Sequence, residues 1–299
     1  MQYHQLGRSE LLVSEITFGC MSLGADDQAN ASLIGHALQQ GINFFDTADL
    51  YDHGRNEETL GKALLGVSRE KVMIASKVGN QWRPDKSGWD WNPRKEYILS
   101  AVEESLRRLQ TDYIDLYQLH GGTMEDPIDE TIEAFEILVQ QGKIRYYGIS
   151  SIRPQVIREY VKRSQIVSVM MQYSLLDRRP VETCFPLLQE HKIGVLARGT
   201  VAKGLLVGKA PAPYLNYTAE EVQAAATAVA MVAGEERSAS QTAIRYVLQQ
   251  PAVTTAVLGI RTSSHLQDAI AATITPALTP AEIEKLNASI PINVYDQHR

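Results

Sequence analysis

The sequence predicts an α/β protein: a (β/α)8 TIM barrel with an N-terminal β-hairpin and extra C-terminal helices, organised as one domain over residues 1–299. Three observations lead there. Short β-rich runs alternate with longer segments of helical periodicity, the pattern of a parallel sheet. Eight such pairs fill the 299 residues, a length that suits a barrel of this kind. The first strand runs into "GCMSLG" (19–24), which lacks the GxGxxG spacing of the turn that opens a doubly wound dinucleotide-binding sheet.

The elements follow in order. "YHQLGRSELLVSEI" (3–16) reads as a small hairpin covering one barrel end. Strands are expected at 16–18, 42–45, 72–75, 113–119, 144–149, 167–171, 194–197 and 256–259. Helical periodicity occupies 27–40, 56–65, 92–109, 128–141, 154–163, 180–191 and 239–250. In 92–109, Ile98, Leu99, Val102, Leu106 and Leu109 recur on one face. Gly41, Gly66 and Gly142 are placed to stop helices. Two pieces fall outside the eightfold pattern: a helix at 217–234, with Thr218 and Glu221 spaced as a capping box, and another at 279–289.

Composition narrows the function. A net charge of −6 and a pI near 5.7 argue against a nucleic-acid or anionic-membrane surface. Cys20 and Cys184 are the two cysteines, and neither has a CxxC partner or a histidine at metal-ligand spacing, so neither a disulfide framework nor a metal site is expected. The first residues lack a secretory apolar core, and no apolar run approaches the roughly eighteen residues that span a bilayer. The expected setting is cytoplasmic, as a monomer or homo-oligomer, with a small molecule as partner.

Chemistry concentrates just past three consecutive strands. In a parallel barrel the residues following each strand gather at one rim. Asp46 and Tyr51 follow the second apolar run, Lys77 the third and His120 the fourth. Any one of these is an ordinary polar group at a barrel mouth; together they form an acid–base set. A tyrosine ordinarily holds its proton to about pH 10. A neighbouring ammonium stabilises the phenolate, and a carboxylate fixes that ammonium in place. A histidine alongside orients a carbonyl oxygen by hydrogen bonding. Such a set protonates an oxygen while its carbon is reduced, or performs the reverse.

"FFDTADLYDHGRNEETLGKAL", "ASKVG", "DYIDLYQLH", "GKIRYYGISS" and "MMQYSLLDRR" resemble the aldo-keto reductase family in order and spacing over nearly the whole chain. The likeness points to bacterial members of the longer-loop branch related to potassium-channel β subunits. It implies a barrel that binds NADPH/NADP+, with NADH as the alternative, and reduces aldehydes and ketones. On this match Tyr51 is the general acid, Lys77 and Asp46 tune it, and His120 positions the substrate carbonyl. A redox-sensing subunit with the same fold and cofactor but little turnover is the alternative, and an aldolase using Lys77 as a Schiff base is a third.

Two loops carry phosphate-binding features. "ARGTVAKGLLVGK" (197–209) has glycines for close backbone approach, with Lys203 and Lys209 nearby. "LGIRTSSHLQDA" (258–269) places Arg261 before a helix start, where N–H groups favour an anion. The resemblance assigns Ser150, Ser151 and Gln172 to the nicotinamide carboxamide. It assigns Arg198, Gly199, Thr200, Val201, Ala202, Lys203 and Gly204 to the nicotinamide face and pyrophosphate, and Arg261 and Asp268 to the adenosine end. Gly19, Cys20 and Met21 after the first strand, with Asp46, Gly259 and His265, complete the cofactor set.

Three departures from the family pattern stand out. Arg198 occupies the place of the usual aromatic, and its charge should disfavour the oxidised, cationic nicotinamide. Ala269 replaces a frequent asparagine near the adenine, and Gly121 and Gly122 replace a tryptophan beside His120. All three tryptophans, Trp82, Trp89 and Trp91, fall in the loop after Lys77. Such a loop either packs on itself over the rim or walls a substrate pocket with His120. Its place beside the lysine favours the second.

Overall fold

The computed structural model describes residues 1–299. Its strands are β1 (Tyr3–Gln5), β2 (Leu12–Ser14), β3 (Ile16–Gly19), β4 (Phe44–Asp46), β5 (Met73–Val78), β6 (Asn80–Trp82), β7 (Trp89–Trp91), β8 (Ile114–Leu119), β9 (Ile144–Ser150), β10 (Ser168–Gln172), β11 (Gly194–Arg198) and β12 (Val253–Gly259). The helices are α1 (Asp27–Gln39), α2 (Arg55–Ala63), α3 (Lys95–Leu109), α4 (Ile128–Gln140), α5 (Pro154–Arg163), α6 (Pro180–Glu190), α7 (Ala219–Ala233), α8 (Ala239–Leu248), α9 (Ser263–Ile274) and α10 (Pro280–Ala288). Strands β3, β4, β5, β8, β9, β10, β11 and β12 pair in parallel in that order, and β12 pairs back to β3 to close the barrel. No helix is long and apolar enough to cross a membrane.

Alternation along each strand builds two cores. Phe45 points outward and meets Phe18 at 5.6 Å between ring centroids, within the large cluster between sheet and helices. Phe44 points inward and joins Ala75, Leu116, Met170, Leu196 and Val257 in a layer inside the barrel. Leu6, Leu11 and Val13 of the β1–β2 hairpin belong to the same inner cluster, so the hairpin plugs the end where the strands begin. Gly7 makes that contact. It adopts φ +58°, and a Cβ there would lie 2.2 Å from the Val167 carbonyl oxygen.

Two residues beyond the inner apolar positions of β4, β5, β8, β10 and β11 the interior turns polar. Asp46 follows Phe44 and Lys77 follows Ala75; in register, Lys77 pairs with Gln118, and Gln172 with Arg198. The barrel is therefore sealed and apolar at one end and ionisable at the other.

The expected elements are present, with shifted ends. β4 begins at Phe44 because the Ile42 amide is taken by the Ala37 carbonyl at 3.0 Å, closing α1 around Gly41 at φ +90°. α3 begins at Lys95 because Trp91 belongs to the β6–β7 hairpin, which the sequence reading treated as loop. The capping box Thr218–Glu221 forms as its spacing predicts, and Thr279–Glu282 forms another on α10.

Candidate active site

Lys77 is the centre of the polar end. Its side chain is 1% exposed, and its Nζ donates to Asp46 Oδ2 at 2.7 Å and to the Thr47 carbonyl at 2.8 Å. The third direction points to the Tyr51 hydroxyl at 3.4 Å. The His120 ring stands edge-on to Tyr51, with centroids 5.8 Å apart. The four residues placed together from sequence therefore meet. Backbone bonds hold the arrangement: Thr47 N donates to Ala75 O, Asp49 N to Lys77 O and His120 N to Val78 O.

Tyr51 sits on a short 3₁₀ turn whose next residues, Asp52 (φ 47°) and His53 (φ 54°), adopt the left-handed conformation. Non-glycine residues hold that conformation only when their surroundings demand it. Here Trp82 supplies the demand. Its ring stacks on His53 at 3.8 Å, and its Nε1 donates to the Leu50 carbonyl. Behind the turn, Glu57 is fully buried and accepts from Ser76 Oγ at 2.5 Å and Arg108 Nε at 2.7 Å, pinning α2 to β5 and α3.

Burial works against every charge here. For Lys77 it would lower the ammonium's pKa, but attraction to Asp46 and to the Tyr51 oxygen outweighs it, and the value moves up. Burial pushes the Asp46 carboxyl up, with Lys77 pulling it back. An amine held by two close oxygen acceptors, Asp46 Oδ2 and the Thr47 carbonyl, keeps its proton. Burial, then the charges of Lys77 and Arg198, lower His120 to about 3. At neutral pH the site holds an ammonium–carboxylate pair and a neutral imidazole whose Nδ1 has no partner.

A cavity of about 620 Å³ opens over this set, within the range of small-molecule sites. Tyr51, His120, Gly121, Gly122, Ser150, Ser151, Met21 and Arg198 line it, together with Leu50, Ile152, Arg153, Arg179 and the tail residues from Tyr295 to His298. Sequence reasoning missed Leu50, Ile152, Arg153, Arg179 and Tyr295; the last is brought in by a tail that docks where Gln155 N donates to His298 O.

Several expected positions lie elsewhere. None of the three tryptophans lines the cavity, which corrects the substrate-wall expectation. Trp82 clamps the Tyr51 turn, and Trp89 pairs with it across the hairpin, 47% exposed. Trp91 backs the wall, lying 3.2 Å from where a Cβ on Gly121 would stand, and donates from Nε1 to Asp126. The Cys20 side chain is fully buried in the core, its Sγ turned to the Phe18 carbonyl at 3.7 Å, so it does not line the cavity as its neighbour Met21 does. Gly19 and Gly259 pair across adjoining strands. Gln172 stands behind the lining and accepts from Arg198 Nη1 at 2.7 Å.

The turn after β11 bears on whether a nicotinamide dinucleotide fits. Gly199, Ala202, Lys203 and Gly204 all have positive φ, and the buried Thr200 hydroxyl has no partner. Val201 (φ −100°) and Leu205 (φ −63°) flank Ala202–Gly204 with the opposite hand; backbone that changes hand in this way makes anion-binding concavities, and an orphaned buried hydroxyl calls for an acceptor or donor from outside. Lys209 packs against Gly204. On the next strand's loop, Thr262 caps α9 through the His265 amide, and Asp268 accepts from Ser238. The residues fit such a cofactor. Lys203, Lys209, Arg261, His265 and Asp268 lie outside the cavity lining.

Comparison with known proteins agrees with this geometry. An aldo/keto reductase family model matches residues 15–291. The chain is 50% identical to an uncharacterized oxidoreductase, YqkF, of Bacillus subtilis over the full length of both. It is 30% identical to L-galactose dehydrogenase of Arabidopsis thaliana, over 91% of this chain and 88% of that one. Among solved structures, the holo form of aldo-keto reductase AKR11C1 from Bacillus halodurans is similar with a TM-score of 0.93 at 50% identity, covering 100% of this chain and 99% of that one. Its apo form scores 0.85 at the same coverage. With a barrel of this topology, an acid–base set at its open end and a family match across nearly its whole length, the chain is an oxidoreductase and belongs to the aldo/keto reductase family.

Proposed function

We propose that the protein reduces aldehydes and ketones to alcohols with NADPH, Tyr51 donating the proton. The observation that carries this is the buried contact of Lys77 with Asp46 at 2.7 Å and with Tyr51 at 3.4 Å, beneath a cavity of about 620 Å³. Ser150, Ser151, Gln172, Arg198 and the turn from Gly199 to Gly204 would hold the nicotinamide and pyrophosphate, and Lys209, Arg261, His265 and Asp268 the remainder. A bound reduced nicotinamide supplies a hydride to the carbonyl carbon. The chain supplies the rest. Neutral His120 donates a hydrogen bond to the carbonyl oxygen and orients it toward Tyr51. The Tyr51 hydroxyl gives its proton to that oxygen, and the Lys77 ammonium stabilises the phenolate left behind. Asp46 keeps the amine charged, which also speaks against Lys77 acting as a Schiff-base nucleophile.

The greater likeness to the holo than to the apo form of the Bacillus halodurans protein supports a site arranged to receive a ligand. A spectrophotometric screen of NADPH consumption against a panel of carbonyl compounds tests the reading. Steady consumption with an aldehyde is expected. Tight NADPH binding with no consumption across the panel would favour a redox-sensing subunit instead.

A further inference from the structure

The charges around the cavity are lopsided. Arg153, Arg179 and Arg198 line it, against Asp296 as the single carboxylate side chain, in a protein whose net charge is −6. Arg179 is already paired: it donates to both oxygens of Asp177 at 2.8 Å and lies over the Tyr295 ring. The other two are not. Arg153 donates to the Gly122 carbonyl, and Arg198 to Gln172 Oε1 at 2.7 Å. Neither has a carboxylate within ion-pair distance. Both are half-buried, so part of their hydration has been given up without a counter-charge. A guanidinium offers five N–H donors in a fixed fork, and each of these has most of them left.

Their placement is informative. Arg153 follows Ser150 and Ser151 in the turn after β9, directly before Pro154 opens α5, and its amide is tied to Ser151 Oγ. Arg198 ends β11, close enough to His120 for its charge to help keep that ring neutral. With Arg198 assigned to the nicotinamide, Arg153 is the free guanidinium lining the cavity in which His120 and Tyr51 would hold a carbonyl oxygen. Met21, Leu50, Ile152 and Tyr295 line the same space with apolar surface.

We propose that the site selects carbonyl compounds with an apolar body and an anionic group, a carboxylate or a phosphate, which Arg153 binds while the C=O lies against Tyr51 and His120 and Arg198 faces the nicotinamide. The proposal rests on the reductase reading above. Both anions match the guanidinium fork, which pairs bidentately with either.

The test compares para-carboxybenzaldehyde with benzaldehyde, and glyceraldehyde phosphate with glyceraldehyde, at saturating NADPH. The anionic member of at least one pair is expected to show about tenfold higher kcat/KM, as charge-assisted bonds warrant. The pair that shows it identifies the anion. The ratio should fall toward one in Arg153→Gln, recover in part in Arg153→Lys, and shrink as salt is raised. Calorimetric binding of para-hydroxymethylbenzoate against benzyl alcohol gives a second readout with the same expected preference. A ratio of one or below in both pairs, or a ratio unchanged in Arg153→Gln, overturns the proposal. So does the finding that Arg153→Gln weakens NADPH binding while the substrate ratio stands, since the arginine would then serve the cofactor. If neither aldehyde is reduced, the reductase reading fails instead, and the calorimetric preference still decides whether the cavity selects anions.

Discussion

Breaking the Lys77–Asp46 pair from each side should give opposite pH trends. The two side chains are 1% and 6% exposed and 2.7 Å apart, so neither can turn to solvent when the other is removed. Lys77→Met leaves a buried carboxylate, and Asp46→Leu leaves a buried ammonium held by the Thr47 carbonyl. Each should cost about 3–5 kcal/mol near pH 8, or a melting temperature lower by roughly 6–10 °C at about 2 °C per kcal/mol for a chain of this size.

The sign of the pH dependence separates the two. Burial already pushes the Asp46 carboxyl up with Lys77 present, and more so without it. In Lys77→Met the folded state therefore binds a proton more tightly than the unfolded state, and the loss shrinks as pH falls toward about 5, by up to about 1.4 kcal/mol per pH unit. In Asp46→Leu the favourable attraction that now raises Lys77 is gone and burial lowers it. That folded state releases a proton, so its loss shrinks as pH rises toward about 10. Urea unfolding across this range is the assay. The double variant should recover most of the stability, since well-packed apolar groups replace a buried pair at little cost, and recover none of the turnover. Parallel pH trends in the two single variants, or losses below about 1 kcal/mol, would refute the reasoning.

Four further outcomes follow, two from His120 and one each from Arg198 and Arg261. His120 titrates near 3, so kcat/KM between about pH 5.5 and 8 should carry no histidine limb, and His120→Gln should leave the shape of that profile unchanged; a limb near 6.5 that vanishes in the variant would contradict the burial argument. Because the folded value lies below the unfolded one near 6.5, wild-type stability should also fall as pH drops from there toward 3, more steeply than in the variant. Arg198→Tyr should narrow the ratio of NADP+ to NADPH dissociation constants, measured by fluorescence titration; an unchanged ratio would show that the guanidinium does not bear on the nicotinamide. Arg261→Gln should cut the preference for NADPH over NADH by about tenfold in the same titration, while equal losses for both cofactors would place Arg261 away from the distinguishing phosphate.

Much of the fold was legible because alternation dominates it. The pattern in which Phe44 faces the barrel and Phe45 the helices repeats along the strands, and glycines and capping residues mark helix ends. The tetrad was legible for the same reason: polar residues at or just past the ends of three consecutive strands must arrive at one rim. The β6–β7 hairpin was not, because three-residue strands interrupted by Pro84 and Gly88 are too short to show a period. The tryptophans were consequently taken for pocket walls, when their positions are set by pairing across that hairpin. Arg153 and Tyr295 were illegible for a different reason. An arginine opening a helix and a tyrosine near the chain end carry no local signal, and long-range contacts of the tail bring these parts together: Gln155 N with His298 O, Arg178 N with Asn293 Oδ1, and Arg179 over the Tyr295 ring. Cys20 follows β3, and its side chain is buried in the cluster between sheet and helices, as a lone apolar thiol beside a strand end is expected to be.

The central claim is that a lysine–carboxylate couple equips Tyr51 to deliver a proton to a bound carbonyl oxygen. Steady-state NADPH consumption by Tyr51→Phe with a reducible aldehyde, measured beside the NADPH dissociation constant, tests it most directly. The account predicts kcat lower by roughly a hundred- to ten-thousand-fold, with cofactor affinity within about twofold of the unaltered protein. A variant that turns over within about threefold of the parent would show that the proton comes from another group.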